Sequence, residues 1–208
     1  MIGHTEPMTD EAAPTTGRGS SPGGGPGWAG RRADARRNHE RIVRAAFEVF
    51  AEKGLEATVP EVAERAGVGK ATVYRSYPTK ADLVAAVALH QLEWLQERLA
   101  AALAEDDAGP ALREALADML ERLAGDCAIA EALGAGSPVD AALQTFVDLL
   151  GRVVAAARDQ GAIRADVTVT EVRVLFGGCS VQLTKYGERD PAVWRHYGEL
   201  VFNALRPA

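Results

Sequence analysis

From residue 31 onward the chain contains no stretch that alternates apolar and polar residues, while apolar residues recur at spacings of three and four almost throughout. That period of 3.6 builds helices and leaves no half-buried strand to seed a sheet, so the expected fold is all-α. Abundant alanine and an aromatic content of 6% agree with it. The longest unbroken apolar run, Leu83 to Leu89, is far short of the roughly 20 residues that cross a bilayer. Residues 1–30 hold eight glycines and four prolines, including Pro22-Gly-Gly-Gly-Pro26, and offer no apolar stretch of the kind a secretory signal needs. Residues 1–33 are therefore expected to be a disordered tail, and Cys127 and Cys179, in no metal or redox spacing, reduced thiols of a cytoplasmic protein.

Start and stop signals divide the rest into nine helices. The first spans about 34–53, with the stripe Val43, Ala46, Phe47 and Phe50, and Gly54 ends it. Thr58-x-x-Glu61 is a capping box that opens a short second helix, with Pro60 tolerated in its first turn. Ala66-Gly67-Val68 form a tight turn into a third helix, about 70–77, which Pro78 closes. Thr79 caps a long fourth helix, about 80–104. Further helices are expected over about 110–124, 127–133, 139–160, 168–186 (opened by the box Thr168-x-x-Glu171) and 191–205.

The net charge of −6 points away from nucleic acid when taken whole. Divided along the chain it points the other way: residues 31–80 carry 11 basic and 7 acidic residues, or +4, while residues 81–208 carry 11 and 19, or −8. A basic block on an acidic body is the pattern of a polyanion-binding module.

Within that block, two short helices joined by three or four turn residues must cross steeply, and Gly67 supplies the left-handed, side-chain-free position. Val62, Ala63, Val68, Val73 and Tyr77 form the faces that hold them together. Lys70, Ala71, Thr72, Tyr74, Arg75 and Ser76 point outward, where small, hydroxyl and basic side chains suit entry into a major groove.

The string Thr58-Val-Pro-Glu-Val-Ala-Glu-Arg-Ala-Gly-Val-Gly-Lys-Ala-Thr-Val-Tyr-Arg-Ser-Tyr-Pro-Thr-Lys-Ala-Asp-Leu83, preceded by Arg41-Ile-Val-Arg-Ala-Ala-Phe-Glu-Val-Phe-Ala-Glu-Lys-Gly54, closely resembles the tetracycline-repressor (TetR) family of transcription regulators over about residues 36–90. The Gly161–Gln182 stretch and Trp194-x-x-Tyr197 are similar to the SbtR-like C-terminal domains of one subgroup. The resemblance implies a helix–turn–helix head over 34–82 and a ligand-binding and dimerisation body over 83–208. It implies that Lys70 and Ala71 face base edges, that Thr72, Tyr74 and Ser76 meet the DNA backbone, and that Thr58 and Lys80 lie beside phosphate, with Arg75 on the same surface. Gly69 stands where the family often has Ser, which removes one cap and phosphate contact. Arg36, with Arg31, Arg32 and Arg37, is either an arm on phosphate or minor groove, or a solvated helix start.

The family's last two helices pair with their two-fold mates, and here they carry Val172, Leu175, Phe176, Val181 and Leu183, then Val193, Trp194, Tyr197, Leu200, Val201 and Leu205. That is more apolar face than a monomer readily covers, and Phe176-Gly-Gly178 permits close helix approach, so a homodimer is expected. An effector cavity is expected among Leu92, Leu95, Leu99, Leu116, Met119, Leu120, Leu123, Phe146, Leu149, Leu150 and Val153, although any single one of them reads more readily as plain core. Few polar residues fall among them, so the effector is expected to be apolar, with His90, Gln144 and Gln182 to orient it. Neither a metal site nor a cofactor is implied: the four histidines have no partner at ligand spacing, and Gly67-Val-Gly-Lys70 lacks the strand and glycine gap of a phosphate loop.

The expected function is an effector-responsive regulator, by family habit a repressor, that binds a palindromic double-stranded operator as a homodimer. Two other readings stand beside it. One is a body that answers to a protein partner; the other is a small all-helical enzyme or carrier, for which no convergent catalytic set is visible.

Overall fold

The computed structural model describes residues 26–207 except 125, 127 and 133–136, and of residues 26–32, Leu55 and Ala130 the backbone only. Among the described residues there are nine α-helices, one 3₁₀ turn (Gly54–Glu56) and no strand: α1 Pro26–Lys53, α2 Val59–Ala66, α3 Lys70–Ser76, α4 Lys80–Leu103, α5 Ala108–Arg122, α6 Ala128–Ala132, α7 Pro138–Asp159, α8 Val169–Lys185 and α9 Pro191–Leu205. The described residues up to Arg36 belong to one compact unit and Arg37–Ala208 to a second, which contains α2 to α9 and the larger part of α1. No described helix is long and apolar enough to cross a membrane.

Local chemistry sets the boundaries. Thr58, Thr79, Ser137 and Thr168 are the N-caps of α2, α4, α7 and α8. In each case the acidic residue three positions on, Glu61, Asp82, Asp140 or Glu171, accepts from the cap residue's own backbone N–H at 2.7–3.0 Å. Positive-φ glycines at Gly54 and Gly161 follow α1 and α7, as their stop positions require.

Two starts differ from the sequence expectation. α1 begins at Pro26 instead of Asp34, so residues 26–33 of the expected tail are helical. Pro26 is tolerated in a first turn, and Ala29, Ala33 and the arginines that follow are good helix formers. The rest of the tail, residues 1–25, lies outside the described residues. α5 begins at Ala108, two residues before Pro110, because the Asp107 carboxylate accepts from Gly109 N–H (3.3 Å) and leaves the proline inside the first turn.

One continuous apolar core runs from Ile42 to Leu205. α9 lies along α5, and α4 is covered by α7 and α6. The approach of α9 to α5 is made at Gly198, where an added Cβ would stand 2.5 Å from Ala117 Cα and 2.6 Å from the Leu116 carbonyl oxygen. Arg195 clamps the same pair: it donates to Asp118 (2.6 Å), Glu114 (2.6 Å) and Glu121 (3.1 Å), all on α5. Burial works against the Asp118 charge, but Arg195 and Arg98 outweigh it and hold the carboxyl below its ordinary range.

Candidate functional site

The head is built on Gly67, which caps α2 in the left-handed region at φ 63°. Arg41 of α1 donates from Nη2 to the carbonyls of Ala66 (2.6 Å) and Gly67 (3.2 Å), satisfying acceptors that the end of α2 leaves open. Arg65 fastens α2 to α1 from its other side, bidentate to Glu52 (2.9 and 2.7 Å) and reaching Glu48 at 3.3 Å. Val62, Ala63 and Val73 are buried between the helices, and Val68 is half-buried against them. The end of α3 is set by Tyr77, whose hydroxyl lies 2.6 Å from His39 Nδ1 and whose pKa burial pushes up to about 12. None of the tethers by Arg41, Arg65 and His39 is visible in the sequence, because each partner lies 13 to 38 positions away.

With the inner face of α3 occupied, its outer face is free. Gly69, Lys70, Ala71, Tyr74, Arg75 and Ser76 are exposed, and Thr72 is half-buried. Tyr74 keeps 46% of its surface, unusual for a large aromatic without a partner of its own. Lys80 is half-buried at the start of α4, beside this face in sequence. Thr58 is exposed, but its hydroxyl donates to Glu61 (2.8 Å), so only its oxygen lone pairs are left for another contact. Arg36 is exposed on α1; Arg31, Arg32, Arg36 and Arg37 all lie within that helix, not ahead of it.

The body contains a cavity of about 260 Å³. Of the eleven side chains expected to line it, Leu92, Leu95, Leu123 and Phe146 face it. Leu99, Leu116, Met119, Leu120, Leu150 and Val153 do not and are fully buried core, and Leu149 is half-buried against that core. His90, Gln144 and Gln182 are exposed elsewhere, Gln144 spending its amide on Asp148 (2.9 Å). The remaining apolar wall comes from Ile129, Leu143, Phe176 and Val181. Its polar groups are Asp126, Arg173 and Ser180, none of which the helical periodicity singles out. Burial raises the Asp126 pKa, opposed by hydrogen bonds from Ala128 N–H and Gln91 and by the charge of Arg122.

The surplus of apolar surface on the last two helices is smaller than expected. Val172, Phe176, Leu183, Trp194, Val201 and Leu205 are buried by the chain itself, and Val193 packs half-buried against them. Leu175, Val181, Tyr197 and Leu200 are left exposed, joined by Val174 at 66%. Among the described residues, nothing beyond the local backbone of α8 lies within 4 Å of a Cβ built on Gly177 or Gly178. Cys179 is half-buried and its thiol is pushed up by burial, the opposite of a reactive thiolate; Cys127 lies outside the described residues. Among the described residues no three His, Cys, Asp or Glu side chains come together as metal ligands would.

Residues 42–87 match the model of the bacterial regulatory proteins of the tetR family, and residues 92–207, more than half of the chain, match the C-terminal domain of SbtR-like transcriptional regulators. The chain belongs to the TetR family. Its fold matches the TetR transcription regulatory protein from Mycobacterium vanbaalenii at 34% identity and a TM-score of 0.63, over 85% of this chain and 99% of that one. It also matches the TetR regulator SCO0520 from Streptomyces coelicolor at 28% identity and a TM-score of 0.65, over 82% and 99%. A shorter match is to the uncharacterized HTH-type transcriptional regulator YdeS of Bacillus subtilis, 45% identical over 47 residues, which is about a quarter of that protein's length. As a TetR protein the chain is a DNA-binding transcriptional regulator and not an enzyme, and its helix–turn–helix is the DNA-binding element.

Proposed function

We propose that this TetR protein is an effector-responsive repressor that binds a palindromic operator as a homodimer. The observation that carries the reading is the pairing of an outward face on α3, rich in basic and hydroxyl groups, with an apolar cavity in the same compact unit. Lys70 and Ala71 read base edges; Thr72, Tyr74, Arg75 and Ser76 hold the backbone, flanked by Thr58, Gly69 and Lys80, and Arg36 adds a DNA contact of its own. The head spans residues 34–82 and the body 83–208. The exposed apolar side chains of α8 and α9 form the two-fold interface, and the uncovered Gly177-Gly178 stretch lets the partner's backbone come close.

Two recognition helices must stand about 34–36 Å apart to enter successive major grooves. α4 joins the head directly to the cavity wall, through Leu92 and Leu95, so an effector that fits one tilt of α4 better than another changes that separation. Moving the population from 99:1 to 1:99 takes a preference of roughly 10⁴-fold. The acidic body repels DNA and confines binding to the short basic face.

Gel-shift titration on DNA from upstream of the protein's own gene tests this. Tyr74→Ala and Lys70→Ala are expected to weaken the specific complex, with Lys70→Ala costing about 1–3 kcal/mol and relaxing specificity at the base it reads. Unchanged affinity in both variants sinks the assignment of the reading surface.

A further inference from the structure

Gln91, in the middle of α4, is fully buried, the only polar side chain so buried among the described residues. Its amide connects two charged groups. Nε2 donates to Asp126 Oδ2 at 3.0 Å, and Oε1 accepts from Arg122 Nε at 3.1 Å. Asp126 lines the cavity, and its other oxygen accepts from Ala128 N–H at 2.7 Å. The Arg122 guanidinium lies over two aromatic rings, 5.2 Å from the centroid of Phe47 on α1 and 5.5 Å from that of Trp94 on α4. A polar chain thus runs from the cavity wall to α1, the helix whose Arg41 holds the helix–turn–helix turn.

The charge at the cavity end is incompletely answered. Both Asp126 oxygens accept from neutral amides, and no ion pair among the described residues includes it. Arg122, the nearest candidate, turns its Nε to Gln91 and its plane to the rings. A carboxylate held among Leu92, Leu95 and Leu123, on which the Arg122 charge acts without ion-pair contact, is best relieved by a cation that arrives with the ligand. A ligand carboxylate would be repelled there and would have only Arg173, which is exposed to water, as its counter-charge.

Resting on the effector reading above, we propose that the cavity takes an apolar molecule bearing an ammonium group, that this group pairs with Asp126, and that Gln91 and Arg122 transmit the pairing to Phe47 and Trp94. The ammonium competes with Gln91 for Oδ2; a Gln91 amide that turns also withdraws the acceptor that fixes Arg122, and the guanidinium then shifts on the two rings.

The full chain, titrated with n-octylammonium, n-octanoate and 1-octanol, tests this without DNA. Calorimetry is expected to show octylammonium binding on the order of tenfold or more tighter than octanoate. Asp126→Asn is expected to abolish that preference and leave octanol unchanged. Octylammonium is expected to alter tryptophan emission in the native protein but not in Trp94→Phe, and Gln91→Met is expected to bind it while losing the emission change. Tighter octanoate, or octylammonium affinity unaltered by Asp126→Asn, overturns the ligand class. An emission change that survives in Gln91→Met overturns the relay. The comparison of the three probes on native protein needs no variant to fold. If none of them binds, the effector reading of the cavity falls with the inference, whereas operator binding by the head is measured separately and stands.

Discussion

Arg189, in the loop before α9, donates from Nη1 to the main-chain carbonyl of Glu52, 2.6 Å away and 137 positions earlier in the chain. The carbonyl is one of those that the end of α1 leaves without a helical partner, so a body residue caps a head helix. The contact is exposed, and its loss is expected to cost less than about 1 kcal/mol of global stability. Its effect is local. Arg189→Met is expected to raise hydrogen exchange at the amides near Gly54 while α5 and α9 keep their protection, and mass-spectrometric exchange on matched peptides checks it. Unchanged exchange at the end of α1 removes the contact as a tether.

Helix identities and most boundaries were legible because they depend on neighbours in sequence. Thr58 and Glu61, or Thr168 and Glu171, make a cap by themselves, and Gly67 needs only its own missing Cβ. The outward face of α3 was legible for the same reason: once Val73 and Tyr77 turn inward, the residues between them turn out. The cavity was not. Leu92 and Leu99 share one stripe of α4, yet the first borders open volume and the second packed core, and only the placement of α7 and α8 decides which. Asp126 lies outside the helices, where no period applies, and Arg173 reads as an ordinary solvated position of α8. Gly198 likewise gives no sign in sequence that it is the point where two helices nearly touch.

At that point a single methyl group is expected to be costly. In Gly198→Ala the new Cβ meets main-chain atoms of Leu116 and Ala117, which cannot rotate aside as a side chain would. α9 must move away from α5, disturbing the three carboxylate contacts of Arg195. The expected loss is about 1–3 kcal/mol, at the upper end because the clash is with backbone. Gly151→Ala in α7, whose added Cβ would meet only Val169 Cγ2 at an ordinary 3.8 Å, is the matched helical control. Chemical denaturation of the two variants at equal concentration reads the difference; equal midpoints contradict the packing.

The start of α2 is expected to respond to acid through Glu61. Its carboxylate accepts from Lys53 Nζ (2.6 Å) and from both donors of Thr58, which lowers its pKa from 4.5 to about 2. A carboxyl whose folded value is depressed contributes stability above its unfolded value, and that contribution is lost as pH falls from about 4.5 toward about 2. Carboxyl-carbon NMR is expected to show Glu61 titrating well below the ordinary glutamate value of 4.5. Glu61→Gln removes the Lys53 pair and is expected to flatten this part of the acid profile. A Glu61 midpoint among the ordinary glutamates rejects the cap geometry.

The exposed apolar strip on α8 and α9 makes the last prediction. Val174, Leu175, Val181, Tyr197 and Leu200 keep between 37% and 66% of their surface in the single chain, and Val181 also borders the cavity. Burying such side chains yields about 25 cal/mol for each Å² removed from water, and a charge placed among them reverses the sign. Val174→Asp with Leu200→Glu is therefore expected to convert the proposed dimer to a monomer of 22.0 kDa in sedimentation velocity. Neither side chain belongs to the buried core, so helicity by circular dichroism is expected to be retained. Because Val181 faces both the strip and the cavity, the monomeric variant is also expected to bind apolar probes more weakly, with the outer wall of the cavity left open to water. A variant that remains dimeric shows that the partner docks elsewhere, and a monomer with undiminished probe affinity separates the cavity from the interface.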